Sequence, residues 1–145
     1  MKKLSWTVLF LTVAALGAAK PDDKAAQEEL KKLAGDWNCT ASEFGGEKAP
    51  EAAYKGLTMT IKGDTFKVLA DGKVIDEGTV KIDPTKNPKT LDLDSSKTKQ
   101  PRIRGIYKLD GDKLLICYGA SNERPTEFAS KKGTMLSLDT YERKK

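Results

Sequence analysis

From Gly35 onwards, apolar side chains recur at every second position in short runs, and this alternation constrains the fold more than any other feature. Residues 57–61, 65–68 and 74–82 alternate in this way, and the turn sequences Lys62-Gly63-Asp64 and Asp71-Gly72 separate them. A period of two is that of a half-buried β-strand, and short Gly-containing turns join antiparallel neighbours. The pattern therefore predicts successive antiparallel hairpins.

The same rhythm continues to the end of the chain. Further strands are predicted at residues 91–94, 102–109, 113–119, 126–129 and 134–141. The total is about eight or nine short strands, with turn signals at intervals of about 8–12 residues, which is typical of a sandwich or a barrel. No pattern of strands alternating with crossover helices is present, so an α/β fold is not expected.

One helix is predicted before the strands, at residues 22–34. Ala26, Leu30 and Leu33 fall three or four positions apart and share one face, and Gly35 is a typical helix terminator. We expect the apolar face to pack on the domain, for which an opening of the barrel is one place.

The first 19 residues have the organisation of a cleaved export signal. Lys2 and Lys3 precede an apolar run, residues 4–16, and the small residues Gly17-Ala18-Ala19 follow it. Cleavage there leaves residues 20–145 as one domain, in the periplasm or the medium, and lowers the net charge from +5 to +3. The run is shorter than the roughly 20 residues of a spanning helix, so no stable membrane span is expected after cleavage, although an uncleaved anchor is the alternative.

Composition removes several classes of function. The chain has no histidine, which excludes Ser-His-Asp and Cys-His catalysis within it and removes the commonest metal ligand. Lysines are scattered among acidic residues rather than clustered, which does not favour nucleic-acid binding. No spacing selects a pair of opposed carboxylates for hydrolysis. The sequence predicts a non-catalytic protein without a metal or cofactor.

Five motifs carry a resemblance to known proteins. Gly35-Asp36-Trp37, at the start of the first strand, resembles the Gly-x-Trp signature of lipocalins. The chain as a whole is similar to an uncharacterised lipocalin-like bacterial domain family that is abundant in planctomycetes. The matching stretches are LKKLAGDW (30–37), GLTMTI (56–61), GIYKL (105–109), LLICY (114–118) and RPTEF (124–128).

The resemblance implies a small antiparallel lipocalin-like β-barrel with a short N-terminal helix. It also implies that Gly35 and Trp37 close one end of the barrel, with Arg143 from the last strand lying over the indole. Such a cation–π contact contributes about 0.5–2 kcal/mol. The chain departs from true lipocalins in its short length and in lacking a clear second motif.

The two cysteines of the chain, Cys39 and Cys117, permit one disulfide in an exported protein. Strand alternation places Cys39 on the same face as Trp37, and it places Cys117 on the face that Leu114 and Ile116 do not share. A bridge would then need a bulge, because the two Cα atoms must come within about 7 Å. The sequence therefore does not decide whether the two cysteines form a disulfide.

The leading functional hypothesis is binding of a small apolar or amphipathic molecule in the barrel mouth. The candidate ligand-binding residues are Trp37, Met59, Phe66, Tyr107, Arg124 and Phe128. Arg124 can bind an anionic group at the rim or can pair with a carboxylate in a structural corner. The alternative function is a protein–protein interaction module with a filled core, whose contacts are carried by loops 86–89 and 95–101.

Overall fold

The structure, a computed structural model, describes residues 21–97, 102–119 and 123–145, so the predicted signal at residues 1–19 lies outside the described residues. The helices are α1 (Pro21–Leu33) and α2 (Glu51–Tyr54). The strands are β1 (Gly35–Phe44), β2 (Glu47–Lys48), β3 (Leu57–Lys62), β4 (Thr65–Ala70), β5 (Lys73–Asp83), β6 (Lys89–Ser95), β7 (Ile103–Asp110), β8 (Lys113–Gly119) and β9 (Leu136–Arg143). Neither helix of this part of the chain is long and apolar enough to cross a membrane.

The sheet closes on itself. Its strands lie in the order β2-β1-β3-β4-β5-β6-β7-β8-β9, every pair is antiparallel, and β9 also pairs with β1. The short strand β2 extends only the end of β1. The result is a closed eight-stranded antiparallel barrel with one additional strand, which confirms the predicted all-β barrel with an N-terminal helix.

The two ends of the barrel differ. At the end that we call the base, β1 begins at Gly35, β9 ends at Arg143, and the turns at residues 63–64, 84–88 and 111–112 lie together. At the other end, the mouth, lie the β1–β2 turn, α2 and the turn at residues 71–72. Part of the loop predicted at 95–101 also belongs to the mouth, but residues 98–101 lie outside the described residues.

Helix α1 covers the base, and its bounds agree closely with the prediction. Leu33 is completely buried, and its carbonyl oxygen accepts a hydrogen bond of 2.9 Å from Nε1 of Trp37. Gly35 has a φ of 126°, a conformation that side chains strongly disfavour, so the glycine allows the helix to lead directly into β1. The apolar face of the helix thus seals one end of the barrel.

The core fills the base half of the interior. Its buried members alternate along the strands with exposed residues, as the period-two pattern predicts. They are Leu33, Trp37, Cys39, Met59, Ile61, Phe66, Val80, Ile82, Leu91, Tyr107, Leu114, Ile116 and Tyr141.

The strand predicted at residues 126–129 is wrong. Residues 123–135, which we call the strap, have no strand structure and run across the outside of the barrel. Near one end of the strap, Nη1 of Arg124 donates to the Gly105 carbonyl oxygen at 2.7 Å, and further along Ser130 Oγ accepts from the Gly46 amide at 3.2 Å. Because β7, β8 and β9 are already paired on both sides, the strap finds no free strand edge to join.

Candidate functional site

The six residues predicted to bind a ligand do not form one site. Trp37, Met59, Phe66 and Tyr107 are each 2% exposed or less and pack in the core. Arg124 and Phe128 instead belong to the strap on the outer wall and are only half-buried. Since the four interior residues fill the base, they leave that half of the barrel to side chains rather than to a ligand.

Trp37 and Arg143 close the base. The guanidinium carbon of Arg143 lies 4.2 Å from the centroid of the Trp37 ring, the arrangement expected for these two residues. Nη1 donates to the Ala34 carbonyl oxygen at 2.7 Å and Nη2 to that of Lys32 at 2.8 Å. These bonds satisfy two carbonyl oxygens at the C-terminal end of α1.

An ion pair of the buried Glu29 carboxylate joins α1 to the barrel wall next to this closure. Oε1 of Glu29 lies 2.5 Å from Nζ of Lys89, and Oε2 lies 3.2 Å from Nζ of Lys32. Burial raises the pKa of Glu29, but the hydrogen bonds and charges of the two lysines outweigh it, so the pKa is lowered. Burial and the Glu29 charge raise the pKa of the nearby Tyr107 hydroxyl.

The inner face becomes polar towards the mouth. Asp139 of β9 is buried, at 7% exposure, and faces the interior opposite Ile116 of β8. Its Oδ1 accepts a 2.6 Å hydrogen bond from Ser42 Oγ, and its Oδ2 accepts one of 2.9 Å from the Tyr118 hydroxyl. Burial raises the pKa of the Asp139 carboxyl, and these two hydrogen bonds offset only part of that effect.

Towards the mouth, the apolar side chains of the inner face are less buried than those at the base. Leu57, Val68 and Leu93 face the interior on β3, β4 and β6 and are half-buried. At the mouth edge, Phe44 and Met135 are 50% and 61% exposed. The chain segments that carry them lie side by side, because the amide of Gly45, which follows Phe44, donates to the carbonyl oxygen of Leu136 at 3.0 Å.

We call the three polar residues Ser42, Tyr118 and Asp139, the half-buried Leu57, Val68 and Leu93, and the rim residues Phe44 and Met135 the mouth site. Asp76 and Ser95 add a second polar contact on the same inner face, through a hydrogen bond from the Ser95 hydroxyl to the Asp76 carboxylate. The site thus offers both apolar walls and carboxylate oxygens.

The sequence did not reveal Asp139 as a candidate, because the pattern of its strand suggests that Asp139 lies on the outer face. Leu136 and Leu138 alternate with polar residues, which suggests that the leucines face inward. In the structure Leu138 is opposite Cys117 on the outer face, where the strap covers the sheet, and Leu136 lines a groove together with residues of the strap. Tyr141 lies two positions after Asp139 on the same face of the strand, and it was the one signal in the sequence that this face is directed inward.

Cys39 and Cys117 are both buried and not bridged. Cys39 of β1 and Cys117 of β8 lie on the two sides of β9, where Cys39 is opposite Tyr141 and Cys117 is opposite Leu138. Tyr141 and Leu138 are three residues apart along β9, so the two cysteine side chains lie on opposite faces of the sheet. Two strand spacings, about 10 Å, also exceed the Cα separation that a disulfide tolerates. Burial raises the pKa of Cys39 to about 11 and raises that of Cys117, so both are protonated thiols at neutral pH.

Arg124 pairs with a carboxylate, which was one of its two predicted roles. Its Nη2 lies 2.7 Å from Oδ1 of Asp92 on the outer face of β6, an ion pair rather than a well-aligned hydrogen bond. Together with the bond to Gly105, this contact fastens the strap to the wall. The contact with Asp92 does not by itself bind a ligand.

Among the described residues, no three Cys, Asp or Glu side chains group closely enough to hold a metal ion. Comparison of the chain with protein-family models, curated proteins and solved structures finds no match.

Proposed function

We propose that the protein is an exported, non-catalytic barrel that binds a small amphipathic molecule at the mouth site. One observation carries this proposal: the inner face changes along the barrel axis from a filled apolar base to half-buried apolar residues and a buried carboxyl group towards the mouth. A core without a binding role would have no need of Asp139, because burying a carboxyl costs free energy that an apolar residue avoids.

The depth of the site follows from the filled base. Trp37, Phe66 and Tyr107 occupy the interior below it, so a ligand reaches no further than the level of Asp139. An apolar part would contact Leu57, Val68 and Leu93 and leave the mouth beside Phe44. Small barrels hold one small ligand in this way.

The polar end of the ligand is set by Asp139. Each of its oxygens already accepts one hydrogen bond and retains a second lone-pair direction. A hydroxyl or ammonium group of the ligand can therefore donate to it. Tyr118 and Ser42 hold the carboxyl group in position for this contact.

A tryptophan substitution within the mouth site tests the proposal. Leu93→Trp puts a large ring on the inner face among the walls of the mouth site, whereas Leu69→Trp adds the same ring on the outer face of β4 and serves as the control. With a fluorescent alkylamine as probe, we expect Leu93→Trp to weaken binding by about tenfold or more, equivalent to 1.4 kcal/mol. Equal affinities of the two variants would contradict the proposal, as would the absence of any bound small molecule in native mass spectra of the protein purified from its host.

The alternative, a protein–protein interaction module, draws on the same exposed rim. A Phe44→Ser, Met135→Ser double variant separates the two functions. If the rim serves only a protein partner, this variant keeps the affinity of the wild type for the alkylamine.

Export rests on residues 1–19 alone. We expect the chain to appear outside the cytoplasm with Lys20 or a neighbour as its first residue, and N-terminal sequencing after cell fractionation checks this. Recovery of the full-length chain in the cytoplasm would contradict it.

A further inference from the structure

We propose that a second site, on the outer wall of the barrel, binds a small organic anion. The groove lies between the base loop at residues 84–88 and the beginning of the strap at residues 124–126. It has a volume of about 620 Å³ and is lined by Lys81, Lys86, Pro88, Thr90, Arg124 and Pro125, among others. It is separate from the mouth site, which lies inside the barrel.

The first argument is an imbalance of charge along one row of the sheet. Lys81, Asp92 and Arg104 are direct cross-strand neighbours on β5, β6 and β7. Arg124 reaches the same carboxylate from the strap, with Nη2 2.7 Å from Oδ1, and Nη1 of Arg104 lies 3.7 Å from Oδ2. A single carboxylate, 14% exposed, thus faces three cations.

The second acidic residue of the groove, Asp83, interacts electrostatically with Lys86 and Lys81, so it reduces this imbalance without removing it. Oδ1 of Asp83 accepts hydrogen bonds from the amide and hydroxyl of Thr85, at 3.0 and 2.6 Å. Lys81 and Lys86 are exposed, and among the described residues neither ammonium group has a carboxylate oxygen within 4.0 Å. Neither lysine is held in a close ion pair, so both ammonium groups can approach a ligand in the groove.

The third argument concerns shape and apolar surface. Pro88 of the base loop, Pro125 of the strap and Ile106 of β7 contribute apolar lining to the groove. The hydroxyl groups of Thr90 and Thr126 supply hydrogen-bond donors at the same place. The volume is within the range of about 300–1,000 Å³ typical of small-molecule sites. Cations, hydroxyls and an apolar lining together fit an aromatic or short alkyl carboxylate or phosphate.

Phenyl phosphate is a suitable probe, because inorganic phosphate carries only its charge and benzyl alcohol only its ring. We expect phenyl phosphate to bind more tightly than either, and to shift the amide resonances of residues 81–92 and 124–126 in a heteronuclear NMR titration of the purified protein. We expect the Lys81→Gln, Lys86→Gln double variant to weaken binding by about tenfold, since both exposed charges act on the anion.

A Lys62→Gln, Lys73→Gln double variant is the matched control, because it removes the same charge from exposed positions elsewhere on the barrel. We expect it to bind phenyl phosphate as the wild type does. Equal weakening in both double variants, equal affinity for inorganic phosphate, or shifts confined to the mouth would each overturn the proposal. The single variant Lys86→Glu, in a loop, repeats the test without altering a strand.

Discussion

The guanidinium of Arg143 joins two segments that are far apart in sequence, the junction of α1 with β1 and the turn between β7 and β8. It stacks on Trp37, donates to two carbonyl oxygens of the α1 terminus and lies 3.1 Å from the Asp112 carboxylate. Lysine keeps the charge of arginine but has neither its planar surface nor its several fixed donors.

Arg143→Lys should therefore lower the free energy of unfolding by about 1–3 kcal/mol, from the lost stack and unpaired carbonyl oxygens. Urea unfolding followed by circular dichroism measures the change. Lys144→Arg, one residue along at an exposed position, is the control and should have no effect. An unchanged urea midpoint for Arg143→Lys would show that the closure does not contribute to stability.

Asp139 gives the stability a predictable dependence on pH. Because burial raises the pKa of its carboxyl above the ordinary 3.8, the folded chain holds this proton more strongly than the unfolded chain does. Stability is then lost as the pH rises through the raised pKa of the folded state, and the loss is complete above it.

Asp139→Asn removes this titration while keeping the size of the side chain and its ability to accept from Ser42. We expect the variant to have a higher urea midpoint than the wild type at pH 7, and a smaller difference near pH 3. Asp110→Asn, the same change at an exposed position, should shift the midpoint at neither pH. A midpoint of Asp139→Asn below that of the wild type at pH 7 would show that the Tyr118 and Ser42 hydrogen bonds stabilise the carboxylate more than burial disfavours it.

At the scale of elements, α1 is attached to the barrel through Leu33 and through the ion pair of Glu29 with Lys89. The Glu29 carboxylate is buried while the Lys89 ammonium is partly exposed, so we expect their coupling to exceed that of a surface pair, at about 1–2 kcal/mol. A double-mutant cycle of Glu29→Gln and Lys89→Met measures it.

The same pair titrates in the opposite direction to Asp139. The pKa of Glu29 is lowered from the ordinary 4.5, so its contribution is present above that value and is lost as the pH falls through the folded pKa. The stability difference between wild type and Glu29→Gln should therefore be constant near pH 7 and decrease below about pH 4.5. A difference that does not change with pH would contradict this assignment.

The strap is held by Arg124 and covers Cys117, whose thiol donates to the Ala129 carbonyl oxygen at 3.7 Å. Arg124→Met should loosen the strap and expose this thiol. In a Cys39→Ser background, we expect Cys117 to react with a thiol reagent about tenfold faster. A tenfold change in rate corresponds to a decrease of roughly 1.4 kcal/mol in the free energy of opening the strap. Lys132→Met, in the strap but exposed, is the control; equal rates in the two variants would show that Arg124 does not hold the strap.

The strap and β9 also show what the sequence could and could not predict. Alternation located the hairpins and α1 because strand and helix periods depend on neighbouring residues only. Residues 126–129 alternate like a strand, but they can form one only if a sheet edge is free to pair with them. Whether an edge is free depends on the closure of the whole barrel. Asp139 was missed for a related reason: the strap supplies an apolar environment outside the barrel, so Leu136 and Leu138 can face outward.

For the molecule as a whole, pairing of the first and last strands decides whether the barrel exists. β1 pairs with β9 from Trp37 opposite Arg143 to Phe44 opposite Ser137, with a bulge between Cys39 and Ala41. Without β9, one edge of β1 and one edge of β8 would be unpaired, and exposed strand edges promote association between chains.

Deletion of residues 136–145 should therefore give a chain that associates instead of a monomer, and size-exclusion chromatography with a thioflavin T assay detects this. Deletion of residues 144–145 alone leaves every strand intact and serves as the control. A synthetic peptide of residues 134–145, added during refolding, should restore the monomeric elution volume, because it can pair with both open edges at once. A truncated chain that remains monomeric with the circular dichroism of the full chain would show that the sheet is stable when open.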